Sequence, residues 1–135
     1  MPLNVDLLRQ SFEVVATANP RFVSRFYEIL FERHPQARAL FPQNGMARQA
    51  EMLTQALVAV LDHLEDAPWL QDTLGALGAK HVDYGVTREM YDWVGASLLA
   101  ALAEVAGPAW TPELQAAWAE AYGAIVSLML ARARA

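Results

Sequence analysis

The stretch Leu70-Gln-Asp-Thr-Leu74-Gly-Ala-Leu77-Gly-Ala-Lys80-His81-Val-Asp-Tyr84 decides how this chain is read. Leu70, Leu74, Leu77, His81 and Tyr84 recur at steps of four, three, four and three, the spacing of one stripe along an α-helix. Lys80 and Asp83 fall on other faces. The stripe is apolar except at its end, so an imidazole is carried on a face that helices normally bury. A buried polar group without a partner costs about 1–3 kcal/mol. The His81 ring therefore needs a partner, which a backbone carbonyl, another side chain or a metal ion can each supply.

Working outward, the pattern stays helical. Clusters of β-branched residues are rare and no period-two alternation is sustained. Helices are expected over 6–18, 20–33, 36–40, 46–64, 68–85 and 88–106, and from 112 nearly to the C-terminus. Asn19-Pro20 reads as a cap followed by a first-turn proline. His34-Pro35 ends the second helix, and Phe41 to Gly45 reads as a loop. Asp66-Ala67-Pro68, Thr87 and Thr111-Pro112-Glu113 read as helix starts, and Gly107-Pro108 as a stop. The expected fold is all-α, about seven helices in one domain covering 1–135.

Composition narrows the class. A chain of 135 residues, 55% of them hydrophobic, can build one substantial core. A net charge of −5 and the absence of any basic run disfavour nucleic acid as a partner. With no cysteine there is no disulfide framework, thiolate site or thiol nucleophile. No leader segment is read in Met1 to Asp6, so a cytoplasmic location is expected. The longest uncharged apolar stretches, 93–103 and 121–131, are 11 residues each. A membrane span needs about 20, so both are expected to be buried core helices and no membrane partner is expected.

Two more polar side chains sit on apolar stripes. Tyr27 shares one with Val23 and Leu30, where a tyrosine also serves as plain core with its hydroxyl at the edge. Gln49 opens the series Gln49, Leu53, Ala56, Val60, where a glutamine also marks the end of a buried stripe. Phe41 lies in the loop between them, as a local plug or as the cover of a flat ligand. His34 precedes a proline at a helix end and is expected to be solvated. His63 lies about 21 Å from Gln49 along the helix axis, too far to share a pocket with it.

Three runs then combine: Phe26-Tyr27-Glu-Ile-Leu30-Phe31-Glu-Arg-His34-Pro35-Gln-Ala-Arg-Ala-Leu40-Phe41, Lys80-His81-Val-Asp-Tyr84-Gly85-Val86 with Tyr91 and Val94-Gly95 following, and Ala117-Trp118-Ala-Glu-Ala-Tyr122-Gly123. In this order and at these spacings they resemble the bacterial single-domain haemoglobins and the globin domain of flavohaemoglobins. The resemblance covers nearly the whole chain and implies the globin fold around haem b. It implies His81 as the proximal iron ligand, Tyr27 and Gln49 as distal hydrogen-bond donors, and Phe41 on the haem face. It further implies Leu53 in the distal wall, Lys80 near the haem edge and Tyr91 on the proximal side, with Leu57, Leu77, Val86 and Val94 completing the lining. The residues agree with this independently: haem is flat and apolar and needs a slot between apolar helix faces with one neutral imidazole.

The function so implied is reversible binding of dioxygen, carbon monoxide and nitric oxide at five-coordinate iron, in a monomer or homodimer. A second reading is a nitric oxide dioxygenase served by a separate reductase. A third, a haem-free globin-like sensor, conflicts with the presence of His81, Tyr27, Gln49 and Phe41 together. One departure from the family stands out. Relatives join the proximal tyrosine and histidine through a glutamate late in the last helix. The matching position here is Ala133, and no acid follows Glu120. A weaker electron push from the histidine is expected, which favours ligand binding over peroxidase-like chemistry.

Overall fold

The computed structural model describes residues 4–18, 22–41 and 45–133. The expected start at Asn19-Pro20, the centre of the loop after Phe41 and the side chain of Ala133 lie outside the described residues. The elements run α1 (Val5–Ala18), α2 (Phe22–Arg33), a 3-10 turn (Pro35–Leu40), α3 (Met46–Asp62), α4 (Ala67–Asp83), α5 (Arg88–Ala106), a second 3-10 turn (Gly107–Ala109) and α6 (Pro112–Ala133). No strand occurs among the described residues. The seven expected helices are all present. The third is a 3-10 turn, because six residues behind a proline are too few to build a stable α-helix.

Side chains begin two of the helices where the sequence placed the starts. Asp66 Oδ1 accepts from the Trp69 amide at 3.2 Å, and Thr111 Oγ1 from that of Leu114 at 3.2 Å. At the α3–α4 corner the His63 ring stacks on Trp69, with centroids 3.9 Å apart and planes 10° apart. His63 Nδ1 donates to the Ala59 carbonyl at 2.8 Å. Arg9 reaches over from α1, its Nε donating to the Leu61 carbonyl at 2.8 Å and an Nη to that of Asp62 at 3.4 Å. A cation on the last carbonyls of α3 suits the negative end of that helix.

The core centres on α2, which buries Phe22, Val23, Phe26, Tyr27, Ile29 and Leu30. So broad an apolar face is needed because α2 packs on α5 and on α3 at once. Arg25 also grips Glu104 of α5 through two bonds of 2.6 and 2.9 Å, which holds that carboxyl below its usual range. α4 packs chiefly on α6. Gly78 makes this possible: a Cβ there would lie 2.1 Å from the Met129 carbonyl oxygen.

α6 departs from expectation. Its residues Pro112–Ala131 are long and apolar enough to cross a membrane by length and composition, with mean hydropathy 1.2, yet only 17% of them are buried. Within 121–131 only Ala121 and Met129 are fully buried. The helix rests on α4, α5 and α1 and leaves its remaining face to solvent, so it is no buried core helix.

One consequence positions the site. α3 packs on α2 and α1, and α4 packs on α6, while α3 and α4 make little direct contact. The stripes Gln49–Leu53–Ala56 and Leu77–His81 are correspondingly half-buried. Neither stripe is covered by the other helix.

Candidate functional site

On the α2–α3 side, Tyr27 is 6% exposed and its hydroxyl accepts from Gln49 Nε2 at 3.2 Å. The bond arises because Tyr27 lies on the stripe that α2 turns toward α3, and Gln49 on the first turn of α3. Phe41 sets its edge against the Tyr27 ring at 5.4 Å, and Phe31 stacks on Tyr27 at 6.0 Å. Phe31 and Phe41 meet at 5.6 Å, and the Arg38 guanidinium covers Phe31 at 5.4 Å. Burial pushes the Tyr27 phenol up, and the bond from Gln49 partly opposes this. Leu53, Leu57 and Val94 are half-buried against the same cluster.

On the α4–α5 side, His81 is half-buried, with Nδ1 2.8 Å from the Leu77 carbonyl. A carbonyl only accepts, so Nδ1 carries a proton, and in the neutral ring the lone pair is then on Nε2. This partner lies one turn back on the same helix. Tyr91 is 7% exposed, and its ring lies 6.2 Å from that of His81 at 24°. Burial raises the Tyr91 phenol as well. Leu77 and Val86 pack with Tyr91 in a second buried cluster. Lys80 is exposed on the outer side of α4.

Tyr27, Phe41, Leu53, Leu57 and Val94 all belong to the main core, with Gln49 bonded to Tyr27, while Leu77, Val86 and Tyr91 belong to a second cluster beside which His81 lies. Tyr84 departs from its stripe and is 64% exposed. Its ring still lies 6.1 Å from that of His81, but α4 ends at Asp83 and nothing covers the Tyr84 ring on its outer side. His34 is half-buried rather than solvated, stacked on Trp93 at 4.6 Å and 9°. His34 stacks on Trp93 at the rim of the first cluster and His63 on Trp69 at the rim of the second, neither beside Tyr27 or Tyr91.

Sequence reading passed over Phe31, the Leu77 carbonyl and Tyr122. Phe31 was findable, one helical turn after Tyr27. The other two act through backbone carbonyls, whose partners depend on the fold.

A flat apolar cofactor needs two facing apolar walls, a neutral imidazole with a free nitrogen on one, and hydrogen-bond donors on the other. The residues present suit such a group: half-buried apolar stripes on α3 and α4, His81 with Nδ1 bonded to a carbonyl, and the Tyr27–Gln49 pair.

The globin family profile matches residues 24–129. A flavohaemoprotein of Rhodopirellula baltica is 32% identical over 130 residues, 95% of this chain and 32% of that one. The chain therefore spans about a third of the length of the curated relatives it matches. An engineered carbene transferase of Rhodothermus marinus, itself a candidate nitric oxide dioxygenase, superposes with a TM-score of 0.83 at 29% identity, covering 96% of this chain and 90% of that one. A flavohaemoglobin of Malassezia yamatoensis with bound FAD and haem shares the fold at a TM-score of 0.73 and 22% identity, over 96% of this chain and 35% of that one. With an all-helical fold shared with haem globins, an imidazole on α4, a tyrosine–glutamine pair across α2 and α3, and a profile match over most of its length, this chain belongs to the globin family.

Proposed function

We propose that this globin binds haem b through His81 and reversibly takes up dioxygen and other diatomic gases on the side of Tyr27 and Gln49. Haem supplies an iron with one free coordination position for such a ligand. The observation that carries the reading is the Gln49–Tyr27 hydrogen bond. Because the Tyr27 oxygen accepts from Gln49, its own proton is left for a second acceptor. Burial keeps that phenol protonated, so it stays a donor. Gln49 offers its other amide hydrogen as well. Leu53, Leu57, Phe41 and Val94 exclude water and surround the ligand with apolar surface.

On the other wall, His81 presents Nε2 as a neutral donor. Its Nδ1 proton goes to an amide carbonyl rather than a carboxylate. A neutral acceptor draws little proton density from the ring, so His81 pushes few electrons toward a metal. This favours holding a gas over breaking an oxygen–oxygen bond. Lys80 lies at the outer edge of α4, suited to an anionic cofactor substituent.

A second reading, nitric oxide dioxygenase, draws support from the Rhodothermus marinus neighbour. It requires a reductase, on this polypeptide or another. Nitric oxide consumption per haem, with a supplied reductant, separates the two.

The primary test is spectral. The purified protein should take up one haem per chain, with a strong Soret band and distinct deoxy and oxy forms. His81→Ala should lose stable haem. A normal ferrous spectrum in that variant without added imidazole would remove His81 as the ligand.

A further inference from the structure

We infer that Met52, on α3, is a redox-sensitive modification site: a peroxide converts its thioether to the sulfoxide, and the sulfoxide oxygen draws the Gln49 amide off Tyr27. The effect on gas release rests on the haem reading above. Met52 is 53% exposed, although it is a long apolar side chain on a helix whose other face packs on α2 and α1. Gln49 precedes it by three residues, so the two are neighbours on the helix surface, with Cβ atoms about 5–6 Å apart. Met52 stands about 60° round the helix axis from Gln49, on the side away from Ala50, which packs on the core.

The other described methionines are guarded. Met129 is 6% exposed. Met46 is half-buried against the main core. Met90 is half-buried, and its sulfur accepts from the Thr87 amide at 3.4 Å, which engages a lone pair. Met52 is thus the described thioether most open to a dissolved oxidant.

The oxidant is hydrogen peroxide. A lone pair on Sδ attacks one peroxide oxygen, and the S–O bond forms as the O–O bond breaks. Sulfur is oxidised to the sulfoxide and the peroxide is reduced. The hydroxide released takes the proton of the transferred hydroxyl and leaves as water. An apolar side chain thereby becomes a polar acceptor.

Gln49 is the donor within reach. Its Nε2 gives one hydrogen to the Tyr27 oxygen at 3.2 Å and has a second to give. A sulfoxide oxygen on the next turn, with its strongly polar S–O bond, is a better acceptor than a phenol. It turns the Gln49 amide toward the exposed side of α3. Tyr27 stays a donor, kept protonated by burial, while the second donor is withdrawn.

The test treats the full chain with hydrogen peroxide and maps it by peptide mass spectrometry. Met52 should gain oxygen well before Met46, Met90 and Met129. NMR then follows the glutamine side-chain amides, with Gln49 assigned by its loss in Gln49→Leu. The Gln49 signals should move on oxidation, return after treatment with methionine sulfoxide reductases, and stay in place in Met52→Leu. In the haem-loaded protein, Met52→Gln places an amide oxygen where the sulfoxide would form, without exposing haem to peroxide. It should speed dioxygen release about tenfold, the loss of one hydrogen bond to a partly charged acceptor, while Met52→Leu releases as the parent does. Oxidation of Met46, Met90 and Met129 as fast as Met52, or Gln49 signals unmoved by oxidation, overturns the inference, whatever haem does. Unchanged dioxygen release in haem-loaded Met52→Gln overturns the link to gas binding. If Met52 oxidises first and the Gln49 signals move but the parent takes up no haem, the redox site stands and the haem reading falls.

Discussion

At the scale of single residues, the distal pair carries the sharpest expectation. A hydrogen bond to a partly charged acceptor is worth about 1.5–3 kcal/mol, and 1.4 kcal/mol is a factor of ten. Tyr27→Phe should therefore speed dioxygen release by about one to two decades, measured by stopped-flow displacement. Carbon monoxide carries less charge when bound, so its release should change far less. Gln49→Leu should act in the same direction, since it removes one donor and also frees the Tyr27 oxygen from the bond it now accepts. Equal acceleration of both gases would mean that the pocket had merely opened, and would return Tyr27 and Gln49 to a packing role. The identities of these residues were legible in the sequence, because each interrupts an apolar stripe. Their partners were less so. Whether Gln49 bonds to Tyr27 depends on how α2 and α3 approach, and periodicity reports a face without reporting what stands opposite.

At the scale of elements, two glycines make opposite predictions from one substitution. Gly78 of α4 lies against the backbone of Met129, and backbone cannot yield as a side-chain tip can. Gly78→Ala should cost about 1–3 kcal/mol or more by overpacking, and should loosen haem retention because α4 carries His81. Gly123 of α6 has nothing within 4 Å of its added Cβ. Gly123→Ala should stabilise by about 0.5–1 kcal/mol through helix propensity alone. Urea unfolding midpoints of the two variants check both signs, and a neutral Gly78→Ala would show that α4 and α6 do not approach this closely. Helix starts at Asp66 and Thr111 were readable because capping chemistry is local. The close approach at Gly78 was not, since a glycine inside a helix looks the same whether it meets solvent or a neighbouring backbone. Tyr84 misled for a related reason: it does reach the His81 ring, but at the end of the helix no neighbouring element covers it.

At the scale of the molecule, burial of phenols ties folding to pH. Tyr27, Tyr91 and Tyr122 are all held above the ordinary phenol range, each chiefly by burial. A folded chain that keeps protons the unfolded chain releases has its full stability below the ordinary phenol value of about 10, and loses stability as pH rises above it. Unfolding midpoints should hold from neutrality to about pH 9 and fall beyond about pH 10. Phenolate absorbance from these three side chains should appear together with loss of helix by circular dichroism. Their ionisation in a fully helical protein of unchanged stability would show that they are not shielded from water. The all-α class was legible from the absence of alternation and the spacing of proline and glycine. The half-exposure of α6 was not, because an alanine-rich helix reads as apolar whether or not anything covers it.

The clamped corner between α3 and α4 gives the slot a spine. The His63–Trp69 stack and the grip of Arg9 on the end of α3 hold one edge. Gln49 lies 14 residues before His63, and His81 lies 15 residues after Asp66. At 1.5 Å per residue both stand about 20 Å from the spine, near the free edges of two pages. A rotation of about 3° between the helices at the corner would then part Gln49 from His81 by about 1 Å, by leverage over that length. The His63–Trp69 stack and the Arg9 grip, far from either side chain, thus act by leverage on how far apart Gln49 and His81 stand.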